Sequence, residues 1–171
     1  MMDGFCYSTD KYLNNRILVS SQVYNKPEWL EKVIKLVDFI EVCEKALRLK
    51  PVEVRFASLK EKLAEGFSFE GGRHIEIDIK LDVPIIKEAI AHEMIHCQQF
   101  QTGKVKFSMK YGVYWKGEIY KPPEHLRGMA AYRAEPHEKE AFANDRKLVK
   151  FVDNIIKTGK LGKPYKIVKA K

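Results

Sequence analysis

The chain has 171 residues, 45% of them hydrophobic and 32% charged, with a formal net charge of +8 at pH 7. That composition excludes a disordered chain, the length suits one domain with a real core, and no apolar run is long enough to cross a bilayer. Cys6, Cys43 and Cys97 are odd in number, far apart and without paired spacing; they read as free thiols rather than a disulfide framework or a cysteine zinc site.

The opening stretch MMDGFCYSTDKYLNN has no basic start followed by an apolar run, so no secretion signal is expected and a cytoplasmic location is. RILVSSQVY predicts a short strand. KPEWLEKVIKLVDFIEVCEKALRLK then predicts a long helix: Pro27 suits its first turn, Leu30, Val33, Val37, Ile40 and Leu47 recur at helical spacing with Ile34 and Cys43 flanking them, and Pro51 ends it. Three strands follow, VEVRF, GFSFE and RHIEIDIK. In the last, Ile75, Ile77 and Ile79 alternate with His74, Glu76, Asp78 and Lys80, which places one face on a core and the other toward solvent or a ligand. Gly71-Gly72 predicts a tight turn between the second and third strands.

Asp82 and Pro84 announce a second helix, from about residue 84 to 101, ending near Gly103 and burying Ile85, Ile86, Ala89, Ile90, Met94 and Cys97. VKFSM and VYWKGEIYK predict a hairpin, PPEHLRGMAAYRAE an irregular stretch, and Pro136 opens a last helix with Phe142, Leu148, Val149, Val152 and Ile155 inward. The fold class expected is α+β: one domain with a small, mostly antiparallel sheet backed by three main helices. From Asn154 onward the chain carries Lys157, Lys160, Lys163, Lys166, Lys169 and Lys171 and no acidic residue. This reads first as a solvated basic tail. Weak contact with nucleic acid is the alternative, but no aromatic or arginine is interleaved in a recognition pattern.

The second helix contains His92-Glu93-Met94-Ile95-His96. Residues i and i+4 lie on one helical face, about 6 Å apart along the axis, so two imidazoles can converge on one cation. Glu93 is rotated by about 100° from His92. It is placed to reach a water held in an open coordination position rather than to bind the metal itself. A catalytic zinc takes three protein ligands and a water. Candidates for the third ligand by type are His74, His125, His137 and the carboxylates of AEPHEKEAFANDRKL, where Glu138 and Glu140 open the last helix. Either glutamate also suits the positive end of a helix dipole.

HEMIHCQQF, YWKGEIY and EPHEKEAF, taken together, resemble the gluzincin metallopeptidases, and more closely their short relatives in phages and bacteria. These pair an H-E-x-x-H-x-x-Q helix with a later P-x-E-x-E-A helix. The resemblance covers roughly residues 66–145 and carries nothing over for the first helix or the lysine-rich end; taken with the charge pattern, the expected organisation is a zincin-like metallopeptidase domain over 1–157 and a basic tail over 158–171. The resemblance implies a Zn2+ cofactor held by His92, His96 and Glu140, with Glu138 as the fallback ligand and Glu93 as general base. Glu140-Ala141-Phe142-Ala143-Asn144 fits the gluzincin E-A-x-x-D pattern except for its last residue. There the family's aspartate orients a ligand histidine, and Asn144 brings no charge. Asp145 is one residue out of register.

The reaction implied is peptide-bond hydrolysis by a zinc-activated water, with Glu93 moving the proton. Tyr120, Tyr132, His125 and His137 are candidate donors to the oxyanion. The strand RHIEIDIK is a candidate edge for pairing with an extended substrate, with His74, Glu76 and Asp78 on one face. The partner expected is a protein or peptide substrate, the state a monomer, and virion association fits the phage resemblance. Two rival readings stand beside it. One is a non-catalytic zinc-binding protein of a phage or of host interaction. The other is a DNA-associated protease using the basic tail.

Overall fold

The computed structural model describes residues 10–59, 66–68, 71–160 and 162–170. Five strands make the main sheet: β1 (Lys11–Tyr12), β2 (Ile17–Val19), β3 (Glu53–Ala57), β4 (Gly66–Ser68) and β5 (His74–Asp78), in the order β1-β2-β3-β5-β4. The centre is parallel, β2 with β3 and β3 with β5, while β1 and β4 pair antiparallel at the two edges. The sheet is therefore mixed rather than mostly antiparallel. The reason lies in the connection. A parallel pair needs a long crossover, and α1 (Ser21–Tyr24) plus α2 (Pro27–Ala46) supply one between β2 and β3.

Helix α2 begins at the predicted proline, but its inward stripe is rotated from the expected one. Val33, Leu36, Phe39, Ile40 and Cys43 are buried, whereas Ile34 is 59% exposed and Leu30 and Val37 lie at the margin. Leu36 and Phe39 decide the face. Helix α3 (Val83–Gln101) matches its predicted span and buries Ile86, Ala89, Ile90, Met94 and Cys97, with Ile85 turned outward. A separate antiparallel sheet follows, made of β6 (Val105–Ser108), β7 (Gly112–Trp115) and β8 (Glu118–Ile119). The stretch expected to be irregular contains a short helix, α4 (Gly128–Ala134). The last helix, α5 (Pro136–Thr158), packs on α2 and α3 through Ala141, Leu148, Val152 and Ile155; Phe142 is half exposed.

Strand β5 is an interior strand, not an edge. It lies between β3 and β4, and Glu76 and Asp78 are buried beside the isoleucines. Arg55 on β3 bonds Asp10 at 2.7 Å and lies 3.5 Å from Glu76. The acids of this strand are thus held in the sheet rather than lining a cleft. In the connection from β4 to β5, Gly71 and Gly72 both take positive φ, 96° and 65°. A Cβ on Gly72 would sit 2.4 Å from the Cys97 carbonyl oxygen, so glycine lets this turn lie directly on α3.

The lysine-rich end does not hang free. Gly159 stops α5 in a left-handed conformation, and the chain then returns across the helices. Tyr165 donates its N–H to the Ala46 carbonyl at 2.9 Å and its hydroxyl to Asn144 Oδ1 at 2.9 Å. Asn144 also exchanges two backbone bonds with Val168, each 2.8 Å. Lys163, Lys166 and Lys169 are exposed while Tyr165 and Ile167 pack on the core. Residues 162–170 are therefore part of the folded body rather than a solvated tail. Among the described residues no helix is long and apolar enough to cross a membrane.

Candidate metal centre

Among the described residues, helices α3 and α5 carry most of the buried polar side chains, grouped at the C-terminal half of one and the N-terminal half of the other. His92, Glu93, His96 and Gln99 come from α3; His137, Glu138, Glu140, Asn144 and Asp145 come from α5. The i, i+4 spacing of the histidines does what helix geometry requires. Their Nε2 atoms face each other at 3.1 Å. Glu138 closes the group, with Oε2 3.2 Å from His92 Nε2 and Oε1 3.2 Å from His96 Nε2. Among the described residues these three form the group whose ligand atoms all lie within 4.8 Å of one another.

Glu140, favoured as third ligand on the family pattern, is not brought to this group. Its carboxylate faces Lys104 Nζ at 2.5 and 2.6 Å and accepts from Gln99 Nε2 at 3.2 Å. The two glutamates are two residues apart and so point to different sides of the helix, as expected. The side that meets α3 is set by the packing stripe. Counting back from Ile155, Val152 and Leu148 in alternating steps of three and four reaches Asp145, Ala141 and Glu138. That projection, available in the sequence, identifies Glu138; the motif register masked it.

The outer partners follow the same stripe. Asp145 Oδ2 lies 3.4 Å from His92 Nδ1, so Asp145, not Asn144, stands behind the first imidazole. Asn144 instead bonds the returning chain. His96 Nδ1 lies 2.8 Å from Gln99 Oε1. Both Nδ1 atoms face oxygen acceptors, and a neutral ring that donates there keeps its lone pair on Nε2, toward the other ring and Glu138.

These groups shift one another's proton affinity. Burial opposes charge on His92, yet its bonds to Asp145 and Glu138 outweigh this and raise it to about 9. His96 is raised for the same reasons, chiefly by Glu138 against burial. Burial pushes Glu138 up, but the two imidazoles and the Tyr132 hydroxyl hold it well below the usual carboxylate range. Glu93 is raised: burial dominates, and the nearby imidazoles and a bond to Ser68 only partly offset it. Gly66 makes room for it, since a Cβ there would lie 3.1 Å from Glu93 Cγ and 2.9 Å from the Glu76 carbonyl oxygen.

The remaining candidates separate cleanly. His74 bonds Glu53 at 2.9 Å on the sheet face opposite Ile75 and Ile77. His125 is exposed. Tyr120 donates to the Ala134 carbonyl and ties the segment before α4 to its end. His137 is buried beside the group, with Nε2 3.5 Å from Glu138 Oε1 and 3.3 Å from Glu135 Oε2; burial lowers it to about 4. Tyr132, on α4, lies by Glu138, and burial together with that carboxylate pushes its hydroxyl up. Two half-exposed phenylalanines flank the centre, Phe142 against His92 at 4.6 Å and Phe107 against His137 at 5.6 Å. No protein-family model, curated protein or solved structure matches this chain.

Proposed function

We propose that this chain is a zinc-dependent metallopeptidase of the gluzincin kind, with His92, His96 and Glu138 as metal ligands and Glu93 as general base. The observation that carries the reading is the meeting of two imidazole Nε2 atoms and a carboxylate in a buried corner. Acceptors facing one another away from water are costly unless a proton or a cation lies between them. The donor set, two nitrogens and one carboxylate with an oxygen acceptor behind each ring, is the one that suits a catalytic zinc. When bound there, zinc would acidify a water and polarise a substrate carbonyl.

The side chains around it have separable tasks. Glu93, with its raised proton affinity, accepts the attacking water's proton on its carboxylate and later releases it to the leaving amine nitrogen. Strand β4 is one of the two outer strands of the sheet, and its Gly66 lies against Glu93. An extended peptide added to this edge would run past the general base, fixed by backbone hydrogen bonds. The Tyr132 hydroxyl, at the Glu138 carboxylate, is the donor best placed to stabilise an oxyanion.

Elemental analysis of purified protein tests the metal: the expected result is one zinc per chain, absent from a His92→Ala variant. Cleavage of an unfolded protein substrate tests the chemistry, and Glu93→Gln should keep zinc and lose hydrolysis. Zinc retained without His92, or hydrolysis indifferent to Glu93→Gln, refutes the assignment. Zinc bound by a wild-type protein that cleaves nothing would favour a non-catalytic zinc-binding protein instead.

A further inference from the structure

The Gln99 side chain is fully buried between the two helices, and each of its amide atoms has a partner of fixed kind. Its Nε2 donates to the His137 carbonyl at 3.0 Å and to Glu140 Oε1 at 3.2 Å. Both partners are oxygens with no hydrogen to give. An amide turned the other way would set oxygen against oxygen twice, in a place closed to water. The orientation is thereby forced, and Oε1 must face His96 Nδ1, 2.8 Å away. An amide oxygen only accepts, so a bond here requires the ring hydrogen on Nδ1, in competition with the Glu138 oxygen that lies 3.2 Å from Nε2. Glu140 in turn is held by Lys104, both carboxylate oxygens lying within 2.6 Å of the ammonium.

We infer that Lys104, Glu140 and Gln99 form a positioning relay that fixes His96 in the one tautomer able to offer Nε2 to a metal. The relay explains why a buried glutamate one helical step from the centre is not a ligand: its charge is spent on orienting an amide and is balanced by a lysine. It also makes the two imidazoles unlike. His92 is backed by the Asp145 carboxylate and His96 by a neutral amide, so the charge behind His96 sits one residue further out. The use of the relay rests on the metal reading above; its geometry does not.

Side-chain 15N–1H spectra of the metal-free protein, at a pH where both imidazoles are neutral, read the tautomer directly. The wild type should show His96 protonated on Nδ1. Gln99→Leu keeps the bulk but removes the acceptor; it should mix the tautomers and lower zinc affinity, measured against a chromogenic chelator, by roughly 10–100-fold. Glu140→Gln still offers an amide oxygen to Gln99 Nε2, and the His137 carbonyl still fixes the amide, so this variant should keep the Nδ1–H form and most of the affinity. A role in packing alone would be served as well by leucine. His96 protonated on Nε2 in the wild type, or Gln99→Leu leaving tautomer and affinity unchanged, overturns the relay. Should Gln99→Leu not fold, the wild-type tautomer still decides. A wild type with the Nδ1–H form and no affinity for zinc upholds the relay and sinks the metallopeptidase reading, so the two failures are distinct.

Discussion

Along α5, residues 138, 141, 145, 148, 152 and 155 make one continuous stripe toward the core, but its first half carries Glu138 and Asp145 where its second carries Leu148, Val152 and Ile155. The apolar half gains about 1.5–3 kcal/mol for each large side chain buried. The polar half buries groups that cost free energy unless every one is bonded. Its bonds are made across to α3, where His92 and His96 share one face while Ile86, Ile90, Met94 and Cys97 bury another. The comparison teaches that the candidate centre is a section of core in which apolar contact has been exchanged for converging donors and acceptors. The distal halves and α2 hold the helices in place; the centre is held by them.

Changes at the two ends should therefore fail in different ways. The largest effect is expected at the polar end: Glu138→Ala should abolish stoichiometric zinc, while Glu140→Ala should still bind one zinc at reduced affinity, both read by elemental analysis after dialysis. Equal loss from the two would return Glu140 to the ligand set. Glu93→Gln should slow peptide hydrolysis by roughly 10²–10⁴ with zinc and melting temperature unchanged. At the apolar end, Leu148→Ala should cost about 2–5 kcal/mol in denaturant unfolding, and at constant folded fraction should leave zinc stoichiometry as it was. The fivefold change His92→Leu, His96→Leu, Gln99→Leu, Glu138→Leu and Asp145→Leu, which also removes the buried partners of the two rings, would replace the polar group with apolar contact. It should abolish metal binding yet leave the metal-free chain equally stable or more stable, by up to about 1–4 kcal/mol. A large destabilisation there would mean that the polar half holds the fold after all.

The smallest effect concerns the thiols. Burial pushes both Cys43 and Cys97 up, so little thiolate forms at mildly alkaline pH. In a Cys6→Ser background a thiol reagent should label neither until the protein is unfolded, and rapid labelling of the native protein would show that the α2–α3 contact opens.

Much of this was legible in the residues. The i, i+4 histidines on an amphipathic helix, the helix starts at Pro27, Pro84 and Pro136, and the hairpin after Gly103 follow from local rules that tertiary contacts do not override. The order of strands was not legible. Parallel pairing of β2, β3 and β5 depends on long crossovers, and β5 reads alternately polar although Glu76 is buried by Arg55 and Asp78 is buried too. The third donor was legible but misread. Family register pointed to Glu140, whereas helical phase measured from Leu148, Val152 and Ile155 points to Glu138. Gln99 stands in the H-E-x-x-H-x-x-Q pattern, but what its amide does there was not legible, because that comes only from partners on α5 and at Lys104.

Asn144 ties this centre to a part of the chain that contributes no donor to it. Its amide grips the strand-like return at Tyr165 and Val168, and the next residue, Asp145, stands behind His92. Cutting the chain after Gly159 would leave that buried amide facing water on one side and loosen the turn of α5 on which the aspartate rides. Sequence far beyond any motif thus sets how firmly one imidazole is aimed, and trimming it would blunt the centre without touching a single atom of it.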